Sequence, residues 1–399
     1  MNKRIFWIAA VLLALFCLTG SALAEEARVI THDCSLAVSD GNKKTARMTD
    51  GNLATRWQQG NHGEGWVEIT APEGEKIGGV SISFNLVPVP WRVEVFSDHE
   101  WVTAFVCEND FLHESVRLES PTEKLRIIAP SKKTKMNICE LEVYGPGELP
   151  ATAQHWEPTY EKADILFLAA HADDELIFFG GGIPTYDTER GYRVVVAYLV
   201  NCGYKRQHEL LNGLWSMGVR HYPIISPFPD HHTTNAKEAY RLMGGKTKVN
   251  HWVVALIRKI RPEVVVTHAR GGEYGHGQHQ AASRSMMVAW EKAADPTYDT
   301  DSAETFGVWQ IKKLYLHLWK ENPIQLDWSQ PLASLGGITG LEAADRAFGF
   351  HVSQHKSGMD VLHTGVRYDN TAFGLYATTV GPDLIGGDFM ENIPVQDGD

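Results

Sequence analysis

Cysteine is scarce: the 399-residue chain has five, and no two stand as Cys-x-x-Cys. That excludes a cysteine-built zinc knuckle and a small disulfide-stapled fold. His-Glu-x-x-His is absent, because His113-Glu114 and His208-Glu209 lack the second histidine. A zinc-protease helix is therefore excluded. There is no Gly-x-Ser-x-Gly elbow and hence no serine-hydrolase signature. Runs of Lys and Arg are also missing, and the formal net charge is −12. An acidic chain repels phosphate backbones, which argues against nucleic acid as a partner. A neutral ligand such as a polysaccharide fits the balance better.

Long apolar runs are limited to one, Ile5 to Leu18. Lys3 and Arg4 precede it and Ser21-Ala22-Leu23-Ala24 follows. This basic, apolar, small-residue order is that of a secretory signal peptide, residues 1–24, cleaved after Ala24. The run is short for a membrane span. The expectation is a secreted or extracytoplasmic protein with no stable membrane insertion. Phe16 before Cys17 fits a lipobox poorly. The remaining Cys34, Cys107, Cys139 and Cys202 are either mostly buried free thiols or paired, with three full pairings possible.

Two textures follow. From Val29 to Tyr144 short period-two runs recur: Gly65–Ile69, Val80–Phe84, Trp91–Phe96, Lys124–Ile128 and Ile138–Tyr144. Gly, Pro, Asp and Asn break them, which predicts an all-β sandwich or barrel. Pro146 to Lys162 has no period and reads as a linker. Beyond it, Ala163–Ala170 and Tyr192–Val200 are continuous apolar runs of the kind buried on both faces of a sheet. Lys205–Met217 and Val249–Ile260 have helical spacing, while Tyr222–Ile225 and Glu263–Thr267 read as strands. Alternating strands and helices predict an α/β domain with a mainly parallel sheet of Rossmann-like type. Sites in such sheets lie beyond the C-terminal strand ends.

In the β-rich segment, Asp50-Gly51-Asn52, Thr55-Arg56-Trp57, Trp66–Ile69 and Glu140–Gly145 occur in the order of the discoidin-like (coagulation-factor C-type) family, which the segment resembles. The resemblance implies a jelly-roll sandwich over residues 28–148 that binds carbohydrate through loops at one end. It also implies first and last strands close together, hence a Cys34–Cys139 bridge. Trp57 is either a sugar-stacking residue or core, since Trp is highly buried on average.

Two clusters carry the chemistry. His171-Ala172-Asp173-Asp174-Glu175 follows the first buried strand, where a helix should begin. Taken alone it reads equally as a metal site or as acids capping a helix N-terminus. Gly271 to His279, with His276 and His279 three apart, follows a second buried strand. Two such clusters at strand ends of one sheet point to a metal site. Asp230-His231-His232 is a pocket rim or a polar loop. His351 and His355, four apart, are a second metal pair or rim histidines.

Residues 163–399, after a linker at 149–162, resemble the PIG-L/LmbE family of N-acetylglucosaminyl deacetylases. His171–Glu175 stands where the family has His-Pro-Asp-Asp-Glu, and Gly275–His279 where it has Gly-His-Pro-Asp-His. Arg206, Glu209, Gly218 and Ser353-Gln354 match weaker features. The resemblance implies one zinc ion per chain on His171, Asp174 and His279, with Asp173 as general base. It implies that His276 stabilises the tetrahedral intermediate or protonates the leaving amine, and that Arg206 and Asp230 contact substrate. The implied substrate is a polysaccharide or amino-sugar glycoconjugate bearing N-acetylglucosamine. Ala172 and Gly277-Gln278 depart from the family pattern, the second removing an acid. That departure leaves two rivals: a carbohydrate-binding protein with little catalysis, and a zinc amidase for a non-sugar amide.

Overall fold

The computed structural model describes residues 25–41, 43–60, 63–130 and 135–394; the signal-peptide expectation for residues 1–24 lies outside them. The first nine strands are β1 (Ser35–Val38), β2 (Trp57–Gln58), β3 (Gly65–Thr70), β4 (Ile77–Leu86), β5 (Trp91–Ser97), β6 (Glu100–Cys107), β7 (His113–Thr122), β8 (Lys124–Ala129) and β9 (Asn137–Tyr144). They form two antiparallel sheets, in orders β1-β3-β8-β5-β6 and β2-β9-β4-β7. Period two in the sequence becomes one buried face per strand: in β3 Gly65, Val67 and Ile69 are buried while Trp66, Glu68 and Thr70 are only partly covered. A side chain every second residue faces the opposite sheet, so one strand supplies both core and surface. Trp91 sits between Phe84 and Phe105, at 5.2 and 5.7 Å between ring centroids, and anchors this core.

Two expectations fail here. Trp57 is 0% exposed, so no sugar can stack on it; a large apolar ring at the start of a strand gains more from burial than from solvent. Cys34 and Cys139 are both free thiols, as are Cys107 and Cys202. Cys34 lies against Asp33 and Glu75, whereas Cys139 lies against Arg56 and Glu140, so the two face different surroundings.

Residues 149–162 are clamped between the two halves. Trp156 is fully covered and meets Trp215 and Tyr222 edge-on, at 5.2 and 5.5 Å. Phe111, in the loop before β7, stacks on Tyr222 at 4.3 Å. The aperiodic sequence hid this, because isolated aromatics carry no period.

The second half adds β10 (Ile165–Ala169), β11 (Val194–Tyr198), β12 (Ile224–Ile225), β13 (Val264–Thr267), β14 (Lys313–His317), β15 (Pro323–Gln325), a small β16–β17 hairpin (Pro331–Leu332 and Ile338–Thr339) and β18 (Ala372–Thr378). The main sheet runs β12-β11-β10-β13-β14-β18-β15. Its first five strands are parallel, and β18 and β15 are antiparallel. β10, β11 and β13 are buried at every residue, as expected of strands covered on both faces. The chain leaves β10 towards β11 and returns to β13 on the other side of β10. The crevice between the ends of β10 and β13 is therefore the topological switch point, where open α/β sheets bind ligands. Both sequence clusters emerge there.

Candidate metal centre and active site

β10 delivers His171 to the crevice. The chain then turns sharply: Asp173 has φ +117°, a conformation rare for a residue with a Cβ. Its N–H is held by Glu175 Oε2 at 2.9 Å. The helix Asp174–Ile177 begins next, and Asp173 makes no capping bond to it. The Asp173 side chain therefore does not cap this helix, whereas Asp174 and Glu175 occupy its first turn.

β13 delivers the second set. The loop after it carries Glu273 and Tyr274, and the helix Gly277–Lys292 presents Gln278 and His279. Three donor atoms converge. His171 Nδ1 and Asp174 Oδ2 are 2.9 Å apart, and His279 Nε2 is 3.2 Å from His171 Nδ1 and 3.2 Å from Asp174 Oδ2. Ligands at about 2.0–2.1 Å from a tetrahedral zinc stand roughly 3.3 Å apart, so this triangle fits a metal of that size. All three residues are buried.

Outer partners fix the rings. His279 Nδ1 donates to Glu273 Oε2 at 2.8 Å, the carboxylate–histidine arrangement that orients metal ligands. His171 Nε2 donates to Gln278 Oε1 at 2.9 Å, and Gln278 Nε2 donates to the Pro229 carbonyl at 2.9 Å. The acid missing from the second motif is thus replaced by an amide that serves His171. Neighbouring histidines can be told apart by what their nitrogens already do. His268 Nδ1 donates to Glu273 at 2.8 Å, and its Nε2 lies 2.8 Å from the Ala170 nitrogen and 3.4 Å from Asp174 Oδ2, close enough to form a second donor group with Asp174 and His279. His317 also donates to Glu273, at 2.6 Å. His276 accepts the Gln278 N–H at Nδ1 (3.2 Å), leaving Nε2 free to donate.

Ionisation follows from these contacts. Burial opposes charge on Asp174, but His279 and His171 hold its carboxyl well below the usual range. Burial likewise opposes charge on Glu273, and His268, His279 and His317 hold it low. Asp173 goes the other way: burial raises its carboxyl well above the ordinary value, while Arg206 pulls it back. Burial, with His171 and His279 alongside, pushes His276 down to about 3, so its ring is neutral.

The remaining expected residues line the crevice. Arg206, from the helix Tyr204–Ser216, donates to Asp173 Oδ1 at 2.8 Å and reaches Asp230 Oδ2 at 3.5 Å. Asp230 lies 3.5 Å from His171 Nε2, and His232 meets His276 edge-on at 5.1 Å; the Asp230–His232 segment is a rim. Glu209 and Ser353 bond each other, with the Ser353 N–H at 2.9 Å from Glu209 Oε1, so these weaker motif residues are structural. His351 is wholly buried against Phe348 and shares no metal group with His355 among the described residues. Glu273 and Tyr274 lie within the Gly271–His279 cluster but carried no assigned role in the sequence, and His317 escaped it altogether. Tyr274 is 48% exposed and packs 5.2 Å from His279, forming a wall. A polar residue ending the buried strand β14 was the available signal for His317.

Residues 166–290 match the family model described as PIG-L, GlcNAc-PI de-N-acetylase. A relative from Catenulispora acidiphila, 1D-myo-inositol 2-acetamido-2-deoxy-alpha-D-glucopyranoside deacetylase 1, is 28% identical over 247 residues, 52% of this chain and 70% of its own. Among solved structures, the conserved protein TT1542 from Thermus thermophilus is 15% identical with a TM-score of 0.40, over 56% of this chain and 98% of its own. CpGH89CBM32-6 from Clostridium perfringens is 21% identical with a TM-score of 0.26, over 29% of this chain and 97% of its own. His171, Asp173, Asp174, Arg206, Glu273, His276, Gln278 and His279 all lie within residues 166–290, the segment that is similar to the PIG-L family.

Proposed function

We propose that this protein is an extracytoplasmic zinc-dependent hydrolase that removes N-acetyl groups from an N-acetylglucosamine-containing glycan or glycoconjugate. The observation that carries the reading is the split of the two aspartates. Asp174 faces the two histidines of the donor triangle, and Asp173, next to it, faces Arg206 and the crevice. The named activity of the Catenulispora relative supports the same bond class.

His171, Asp174 and His279 would hold a zinc ion, which when bound would supply Lewis-acid polarisation and lower the pKa of a water to about 7. Asp173 takes one proton from the attacking water as general base. Asp173 then passes that proton to the amine nitrogen as the C–N bond breaks, giving acetate and a free amine. His276, neutral with Nε2–H free, donates a hydrogen bond to the oxyanion as charge develops. Arg206 fixes the direction of Asp173 through a charge-assisted hydrogen bond.

Gln278 weakens the binding-only rival, because the departure from the family motif still gives His171 an orienting acceptor. The test is acetate release by the purified protein, with zinc supplied, from N-acetylglucosamine oligomers and from N-acetyl peptides. Release from the sugars alone is expected. Release from the peptides alone favours the non-sugar amidase, and no release from either sinks the hydrolase reading.

A further inference from the structure

Asp173 is gripped at two points. Arg206, from the helix Tyr204–Ser216, holds its carboxylate at 2.8 Å, and Glu175 Oε2 holds its N–H at 2.9 Å. The second grip sets the direction. Asp173 and Asp174 are consecutive yet serve different neighbours, and the turn that separates them puts Asp173 at φ +117°. A residue stays in so sparsely populated a conformation only where its surroundings fix it. Glu175 must therefore itself be fixed.

His351 stands behind it. Glu175 and His351 are both 0% exposed, and His351 Nε2 lies 4.0 Å from Glu175 Oε1. Among the described residues neither Glu175 Oε1 nor either nitrogen of His351 has a hydrogen-bond partner. The same holds for Tyr198 Oη, which faces the Glu175 carboxylate. Buried polar atoms without partners are costly, so their gathering at one spot marks a site rather than a packing accident. A separation of 4.0 Å is too long for a direct hydrogen bond and short enough for one water to serve both groups. Burial, with Arg206 and His355 alongside, pushes His351 down to about 3, so its neutral ring offers one donor and one acceptor.

The helix Tyr204–Ser216 brings His351 there in two ways. Gly213 admits the ring: a Cβ at that position would lie 3.3 Å from His351 Nε2 and 3.2 Å from the Ala347 carbonyl. Glu209 pins the chain just after His351, accepting the Ser353 N–H at 2.9 Å and the Ser353 hydroxyl. Because Arg206 rides on the same helix, the contacts close a circuit from Asp173 through Arg206, Glu209, Ser353, His351 and Glu175 back to Asp173.

We propose that Glu175 and His351 are positioning residues that hold Asp173 in its proton-accepting orientation, Glu175 through the Asp173 N–H and His351 through Glu175. The proposal rests on the deacetylase reading, in which Asp173 is the general base. It gives a task to the last residue of the first motif and to a histidine that lies outside the donor triangle.

Acetate release from N-acetylglucosamine oligomers, elemental metal analysis and amide hydrogen exchange on the full chain test it. In Glu175→Ala kcat should fall by about tenfold or more, as expected when a reacting group is slightly misplaced. KM should stay within about twofold, because the lost interaction acts in the transition state, and metal content should be unchanged. Glu175→Gln keeps an acceptor for the Asp173 N–H and should recover most of the loss. His351→Phe trades two unpartnered nitrogens for an apolar ring of similar shape beside Phe348, so it should fold as well as the parent. Its kcat should also fall by about tenfold, and exchange in the peptide holding Asp173 should quicken in both Glu175→Ala and His351→Phe. His351→Gln, which keeps a donor, should recover part of the rate. If Glu175→Ala does not fold, His351→Phe decides alone. An unchanged kcat in His351→Phe, a loss carried by KM or by metal content, no recovery in Glu175→Gln, or unaltered exchange at Asp173 overturns the proposal and leaves the deacetylase reading standing. A parent protein that releases no acetate overturns both.

Discussion

Asp173 and Asp174 are adjacent and both buried, but their neighbours differ. Two imidazoles keep Asp174 ionised, while burial raises Asp173 against the pull of one guanidinium. Asp173→Asn tests the difference cleanly, because Asn tolerates positive φ nearly as well as Asp and the backbone at +117° is not strained further. Turnover should fall by about 10²–10⁴-fold, the usual worth of a general base, with the metal content unchanged by elemental analysis. Loss of the metal would mean that the aspartates have exchanged roles. Gln278→Ala removes the acceptor from His171 Nε2. Loss of such an outer partner typically weakens metal affinity by about 10–100-fold, readable by chelator competition; an unchanged affinity would show that Gln278 does not orient His171.

Gly277, the first residue of the helix Gly277–Lys292, explains why the family proline is absent here. A Cβ on Gly277 would lie 2.1 Å from Thr233 Oγ1 and 2.5 Å from the Asn235 carbonyl. Its N–H also donates to the Thr233 carbonyl at 2.7 Å. Proline is ordinarily welcome at a first helical position because that N–H has no partner; in this chain it has one. Gly277→Pro should therefore destabilise the protein by about 3 kcal/mol or more, from the clash and the lost hydrogen bond. Chemical denaturation checks this, and acetate release should fall with it, since His279 rides on the same helix. A variant as stable as the parent would mean that the Thr233–Asn235 loop yields easily. At this scale the strands were legible from periodicity: β3, β4, β5, β8 and β9 each contain a period-two run, and β10, β11 and β13 a continuous one. β6, exposed at most positions, gave no alternation to read.

The two halves of the molecule meet through a pair of histidines. His113 on β7 and His208 on the helix Tyr204–Ser216 are joined Nε2 to Nδ1 at 2.7 Å, and His113 Nδ1 meets Gln154 at 2.8 Å. Burial pushes His113 down to about 4 and His208 well below its ordinary value. In the unfolded chain both titrate near 6.5. The unfolded state therefore binds more protons between about pH 6.5 and 4, and stability falls as pH falls through that window. For His113 alone the loss by pH 5 is on the order of 2 kcal/mol. Urea titrations at pH 7.5 and pH 5 should show it, and His113→Gln should show a shallower fall between the two. An equal fall in the variant would place the acid sensitivity elsewhere.

Composition and local order determined much of this protein. Alternation marks the sandwich strands because every second side chain must be buried; continuous apolar runs mark strands covered on both faces; and His171, Asp174 and His279 stand out as polar groups directly after such runs. Only tertiary structure decided the rest. Whether Trp57 stacks on a ligand or fills a core depends on which face the opposing sheet covers. Cys34, just before β1, and Cys139, within β9, are free thiols, and local order in the sequence could not say whether they meet. Glu273 meets both His279 and His317 because β13 and β14 are neighbours in a sheet, although 44 residues separate Glu273 and His317 in sequence. Hydrogen bonds and charges act over a few ångströms of space, and only the completed sheet says which distant residues are that close.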